Sequence, residues 1–223
     1  MLGAMPGRFR LVVFDLDGTL VDSWKDLADA ANALVVGYGR PALADAAIAS
    51  MIGDGAGVLV QRVCAAAGLE STPPDAVPRF LEIYGRVMLT HTRPYPGVPA
   101  MLGALAARVP LAVLTNKPQA ATRQMLEAFD LARHFSACIG SEAGFPRKPD
   151  PSALHHLIAQ AGATSETTLL VGDSAIDLDT ARRAGVPLCL ARYGFGYRPD
   201  LEPMRPGDLA IDTPADLIKI VEP

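Results

Sequence analysis

Five short apolar runs constrain this chain more than any other feature of it. Residues 10–16, 111–115, 137–139, 168–172 and 186–191 are largely Leu, Val, Ile, Ala and Phe, without the polar alternation of a strand that has one wet face. Runs of that length and texture read as strands buried on both sides. Helical patterns separate the last four of them, at 118–129, 151–161 and 175–184. Repeated strand–helix–strand order implies right-handed crossovers and an α/β parallel sheet flanked by helices. A strand near 209–211 and a helix from Pro214 finish the pattern.

Between the first and second runs the texture is helical. Ser23 reads as an N-cap for a helix through Leu27, Ala30, Ala31 and Leu34, stopped near Gly37 and Gly39. Further helices fit 44–51, 57–67 and 76–89, with breaks at Gly53-Asp54-Gly55 and Ser71-Thr72-Pro73-Pro74. The simplest organisation is a core of residues 1–21 and 94–223, interrupted by an all-helical domain of residues 22–93. Open α/β sheets bind ligands outside the carboxyl ends of their strands. An insertion leaving from such an end lies over the crevice as a cap.

Composition narrows the function. Half of the 223 residues are hydrophobic and a fifth charged, which suits a folded domain and not a disordered one. A net charge of −4 offers no footprint for nucleic acid or an anionic membrane. No apolar run approaches the roughly 18–20 residues that span a bilayer. Arg8 and Arg10 lead into a strand, not into a signal-type apolar region, so a cytoplasmic protein is expected. Cys64, Cys138 and Cys189 are odd in number and scattered, and His155-His156 lacks ligand spacing.

The chemistry gathers at strand ends. Leu11-Val12-Val13-Phe14 delivers Asp15, followed by Asp17 and by Gly18, which permits a tight turn. Two acids so placed can share a cation, one by its carboxylate and the other by its backbone carbonyl. Asp22 and Ser23 are explained by helix capping. The second run ends in Thr115-Asn116-Lys117, a loop carries Arg147-Lys148-Pro149-Asp150, and the fourth run ends in Gly172-Asp173-Ser174-Ala175-Ile176-Asp177. Singly these are a turn, a solvated charge and an N-cap. At converging strand ends they make a phosphate site. The demand is large: phosphate-monoester hydrolysis can require up to ~10²¹-fold acceleration, roughly 28 kcal/mol, and one well-aimed donor supplies only about 3–4 kcal/mol.

Together, the four motifs resemble those of the haloacid dehalogenase superfamily, and the whole chain is similar to its phosphatases with a helical cap. The resemblance implies a Rossmann-like core, with Asp15 as nucleophile and Asp17 as general acid and base. It implies that Thr115, Asn116 and Lys148 bind the phosphoryl group. Mg²⁺ would be held by Asp15, Asp17 and Asp173, with Asp177 supporting from behind. Mg²⁺ suits such all-oxygen ligands. Dehalogenases of the superfamily lack the acid matching Asp17, so a phosphatase is the expected member.

Substrate choice should lie in the cap. The segment Ile52-Gly53-Asp54-Gly55-Ala56 looks like the cap loop of bacterial phosphoglycolate phosphatases, with Asp54 in place of their Asn. Arg192-Tyr193-Gly194-Phe195-Gly196-Tyr197 resembles a second stretch of that family. Gly53 and its neighbours, at a helix N-terminus, and Arg62 are candidate partners for a second anionic group. Trp24 is a candidate for the mouth of the site. The expected ligand is a small phosphorylated metabolite, and the chain is expected as monomer or homodimer. Rival readings are a phosphatase for sugar phosphates, nucleotides or pyrophosphate, a phosphosugar mutase, or a binding protein on an inactive scaffold.

Overall fold

The computed structural model describes residues 8–201 and 205–221. Its centre is a six-stranded parallel sheet of β1 (Leu11–Phe14), β4 (Leu111–Pro118), β5 (Ala137–Ser141), β6 (Thr168–Gly172), β7 (Leu188–Ala191) and β8 (Leu209–Ile211). The strands lie in the order β5-β4-β1-β6-β7-β8. Successive side chains of β1 serve opposite faces. Val12 and Phe14 join the larger apolar cluster, with Met101, Leu102 and Met125; Leu11 and Val13 join a second, with Leu154, Leu157 and Ala181. Burial on both faces is why these strands read as continuous apolar runs and not as alternation.

Helices α5 (Val98–Ala106), α6 (Gln119–Ala128) and α9 (Pro214–Val221) contribute to the first cluster, and α7 (Ser152–Gln160) and α8 (Ala175–Ala184) to the second. Helix α5 was not apparent in the sequence. It starts at Gly97-Val98-Pro99, where Pro favours the first turn. Chain order runs from β1 through β4 to β5 on one side, then crosses to β6 on the other. Such a reversal opens a crevice at the carboxyl end of the central strand.

The helical insertion hangs on a two-stranded ribbon, β2 (Val21–Asp22) with β3 (Arg93–Pro94), antiparallel with Val21 opposite Pro94. It holds α1 (Trp24–Gly37), α2 (Asp45–Ala49), α3 (Ala56–Ala66) and α4 (Ala76–Val87), each within a few residues of its expected span. The buried carboxylate of Asp26 in α1 ties the outgoing and returning chains together. It accepts the N–H of His91 at 2.9 Å, the N–H of Thr92 at 2.9 Å and the Thr92 hydroxyl at 2.7 Å. Trp24 packs against the apolar cluster and does not line the cavity described below, so its place at the mouth is not realised. No helix among the described residues is long and apolar enough to cross a membrane.

Candidate active site

Asp15 stands one residue beyond β1, its N–H bonded to the Val171 carbonyl at 2.9 Å. The chain then turns sharply. Gly18 has φ of +86°, and a Cβ there would lie 2.0 Å from Asp173 Oδ2, so only glycine lets the turn pass beneath that carboxylate. Thr115 belongs to β4, Asp173 follows β6, and Lys148 enters from the loop before α7. The convergence expected from sequence is thus realised by three neighbouring strands.

Lys148 Nζ lies 2.9 Å from Asp15 Oδ1 and 2.7 Å from Asp177 Oδ1, with its side chain almost wholly buried. The Asn116 side chain secures that loop by donating Nδ2–H to the Lys148 carbonyl at 3.0 Å. Asp177 is fully committed. Beyond Lys148 it accepts the Ser174 hydroxyl at 2.7 Å, the Ser174 N–H at 3.1 Å and the Asp173 N–H at 3.2 Å, all on Oδ2. It therefore locks the start of α8 and the ammonium of Lys148 at once.

Asp173 accepts the Thr19 hydroxyl at 3.1 Å on one oxygen and the Gly196 N–H at 2.7 Å on the other. The stretch 192–197 is consequently part of the site. Tyr193 clamps it down, its hydroxyl donating to the Thr19 carbonyl at 3.0 Å and its ring packed edge-on against Tyr95 at 5.0 Å.

Electrostatics show what the site can hold. Burial pushes the Asp15 carboxyl up to about 6, with Lys148 opposing and Asp177 adding to the rise. Burial, followed by the charges of Asp177 and Asp15, raises Asp173 well above the usual carboxylate range. Carboxylate oxygens of Asp15, Asp173 and Asp177 lie within 4.8 Å of one another. Such a buried, oxygen-only, mutually repelling set fits a hard divalent cation. Asp177 accepts from Lys148 and three further donors, whereas Asp173 accepts two hydrogen bonds and Asp15 faces Lys148 alone, so Asp15 and Asp173 are the less committed carboxylates.

Asp17 has partners that the sequence did not indicate. Its oxygens lie 3.0 and 3.1 Å from Lys117 Nζ, and Oδ1 also accepts the Ser23 hydroxyl at 2.6 Å. Ser23 occupies the N-cap position of α1 but makes no side-chain capping bond; its hydroxyl serves Asp17, which corrects the capping assignment. Lys117 and Tyr84 were missed in the sequence. The only signal for Lys117 was its place directly after Thr115-Asn116.

A cavity of about 50 Å³ joins these groups to the insertion. Asp15, Asp17, Thr115, Asn116, Lys117 and Asp173 form its floor. Its roof is mostly apolar, from Ile52, Ala56 and Leu59 on one side and Phe80, Leu81 and Tyr84 on the other. Gly53 and Gly55 line it. Arg62 does not: its guanidinium donates to the Met51 carbonyl at 2.9 Å and pairs with Asp54 at 2.5 Å. That pair also explains the acid at position 54, which faces Arg62 and not the cavity.

Fold and site together define a phosphatase built on a parallel α/β sheet. The profile of the haloacid dehalogenase-like hydrolases matches residues 12–191, and the chain belongs to that family. It is 41% identical over 198 residues to a phosphoglycolate phosphatase of Rhodospirillum rubrum, covering 85% of this chain and 82% of that one. It is 38% identical over 216 residues to phosphoglycolate phosphatase 1 of Pseudomonas aeruginosa, covering 94% and 78%. A crystal structure of a predicted phosphoglycolate phosphatase from Haemophilus somnus superposes with a TM-score of 0.85 at 33% identity, covering 96% and 99% of the two chains.

Proposed function

We propose that this phosphatase hydrolyses 2-phosphoglycolate to glycolate and phosphate through a phosphorylated Asp15, in the cytoplasm and with Mg²⁺. One observation carries the reading: Asp15, Asp173 and Lys148 are buried together at the carboxyl end of the sheet, beneath a mostly apolar roof from the insertion. The names of the relatives at 38–41% identity point to the same substrate.

Residues 22–93 act as the cap and the remainder as the catalytic core. Asp15, freed of its proton, attacks phosphorus in line with the leaving oxygen. Asp17 protonates that oxygen, then removes a proton from the water that releases phosphate from Asp15. The Thr115 hydroxyl and the Asn116 backbone N–H hold equatorial oxygens, and Lys148 balances charge on the transferring group. Mg²⁺ on Asp15, Asp173 and the Asp17 carbonyl would supply neutralisation of the carboxylates facing a phosphate dianion. The second anion of the substrate falls to backbone N–H groups around Gly53 and Gly55, since Arg62 is engaged elsewhere.

The test is phosphate release from 2-phosphoglycolate beside sugar phosphates, nucleotides and pyrophosphate, with Mg²⁺ or chelator and with Asp15→Asn as blank. 2-Phosphoglycolate should lead in kcat/KM by orders of magnitude, and both chelator and Asp15→Asn should abolish turnover. Another ester in the lead overturns the substrate; full activity in Asp15→Asn overturns the mechanism.

A further inference from the structure

We propose that Tyr84, in the helical insertion, is a positioning residue for Asp17 and acts through Lys117. The inference rests on the reading of Asp17 as general acid and base. An ammonium carries three N–H donors. Two of those of Lys117 go to the two oxygens of Asp17, at 3.0 and 3.1 Å, and the third goes to the Tyr84 hydroxyl at 2.6 Å. The Lys117 side chain is only 2% exposed, so no water competes for it.

A lysine held at one end by a single carboxylate keeps much of its rotamer freedom, and the carboxylate moves with it. Tyr84 removes that freedom. Its ring stacks on Phe80, 5.8 Å between centroids with planes 3° apart, and Lys117 Nζ lies 4.6 Å from the Tyr84 centroid. The phenol thus fixes the ammonium, and the ammonium fixes both oxygens of Asp17. The other contact to Asp17 comes from Ser23, directly before α1. Every side-chain hydrogen bond that Asp17 receives among the described residues is therefore supplied or braced by the insertion. Lys148 already answers the nucleophile, which leaves Lys117 free for this separate task. Cap and core complete the acid–base group jointly, although Asp17 is a core residue.

The leaving group provides the test. An alkoxide must be protonated as it departs, whereas p-nitrophenolate leaves without a proton. Tyr84→Phe keeps the ring and its stack and removes only the hydroxyl. It should lower kcat on 2-phosphoglycolate about tenfold, the effect of one lost hydrogen bond, with KM changed by less than about twofold. On p-nitrophenyl phosphate, kcat/KM should stay within about twofold of the parent. Lys117→Met should show the same pattern more strongly, and Asp17→Asn, run beside them, most strongly. Equal losses in kcat/KM on both esters, a rise in KM alone, or unchanged kcat/KM for 2-phosphoglycolate in Tyr84→Phe would each overturn the proposal. If Asp17→Asn itself shows no dependence on the leaving group, the acid–base role of Asp17 has failed, and the proposal with it.

Discussion

Gly194 offers a sharp test of how the 192–197 stretch serves the site. A Cβ at this position would sit 2.2 Å from the Gly18 carbonyl oxygen and 2.3 Å from Asp173 Cβ. Ordinary contact is about 3.5 Å, so the chain must withdraw by roughly 1 Å. Neither neighbour can yield: one is the backbone of the turn after Asp15, and the other is the base of a buried side chain. Gly194→Ala should therefore lift the loop and break the 2.7 Å bond from the Gly196 N–H to Asp173. Overpacking plus one lost bond to a carboxyl group amounts to a stability loss of about 2–3 kcal/mol. Loss of outer support for Asp173 should raise the Mg²⁺ concentration for half-maximal activity about 10–100-fold. Urea unfolding and a metal titration of phosphate release measure both. Gly85→Ala is the control, since its Cβ meets nothing within 4 Å on an exposed turn of α4. It should leave activity unchanged and stabilise by about 0.5–1 kcal/mol. Wild-type stability and metal dependence in Gly194→Ala would refute the reasoning.

Asp177→Asn preserves shape but supplies one acceptor oxygen where two are in use, so its NH₂ must face Lys148 or the donors at the start of α8. We expect a loss of about 2–3 kcal/mol in urea unfolding and a fall in kcat/KM of at least about tenfold. A carboxyl whose pKa rises on folding keeps its proton in the native chain after the unfolded chain has lost it. The metal-free protein should accordingly lose stability as pH climbs through the window from about 4 to about 6 set by Asp15. Asp15→Asn removes that cost and should stabilise the chelated protein by up to about 3 kcal/mol at pH 7.5, shrinking toward pH 4. A gap that does not change with pH would refute this.

The parallel sheet was legible because its strands are buried on both faces, Asp15, Thr115 and Asp173 because each stands at or beside a strand end, and Lys148 because its loop precedes a helix in the same motif order. Helix α5 escaped notice, since its short, mostly apolar run (98–106) has no polar face to mark a helical period. Tyr84 could not be read at all. It lies 33 positions from Lys117 in the chain, and only the packing of α4 over the crevice brings the hydroxyl and ammonium together. Ser23 holds the N-cap position without making the capping bond, for an instructive reason. A serine before a helix ordinarily caps it, but a carboxylate within hydrogen-bond reach outcompetes a backbone N–H. Arg62 shows the converse, a plausible anion ligand whose near neighbour Asp54 had already claimed it.

The ribbon of β2 and β3 has a consequence for how such proteins diversify. The 70 or so residues of the insertion enter and leave through two paired positions, Asp22 and Arg93, so the sheet's register is indifferent to what hangs between them. The apolar cluster, however, runs without a break from Phe14 and Val113 in the sheet to Leu34, Leu59 and Phe80 in the insertion. Deleting the insertion would expose that seam, whereas grafting another helical unit with a matching apolar underside would keep it dry. The molecule is thus built so that its upper part can be exchanged for another but not done without.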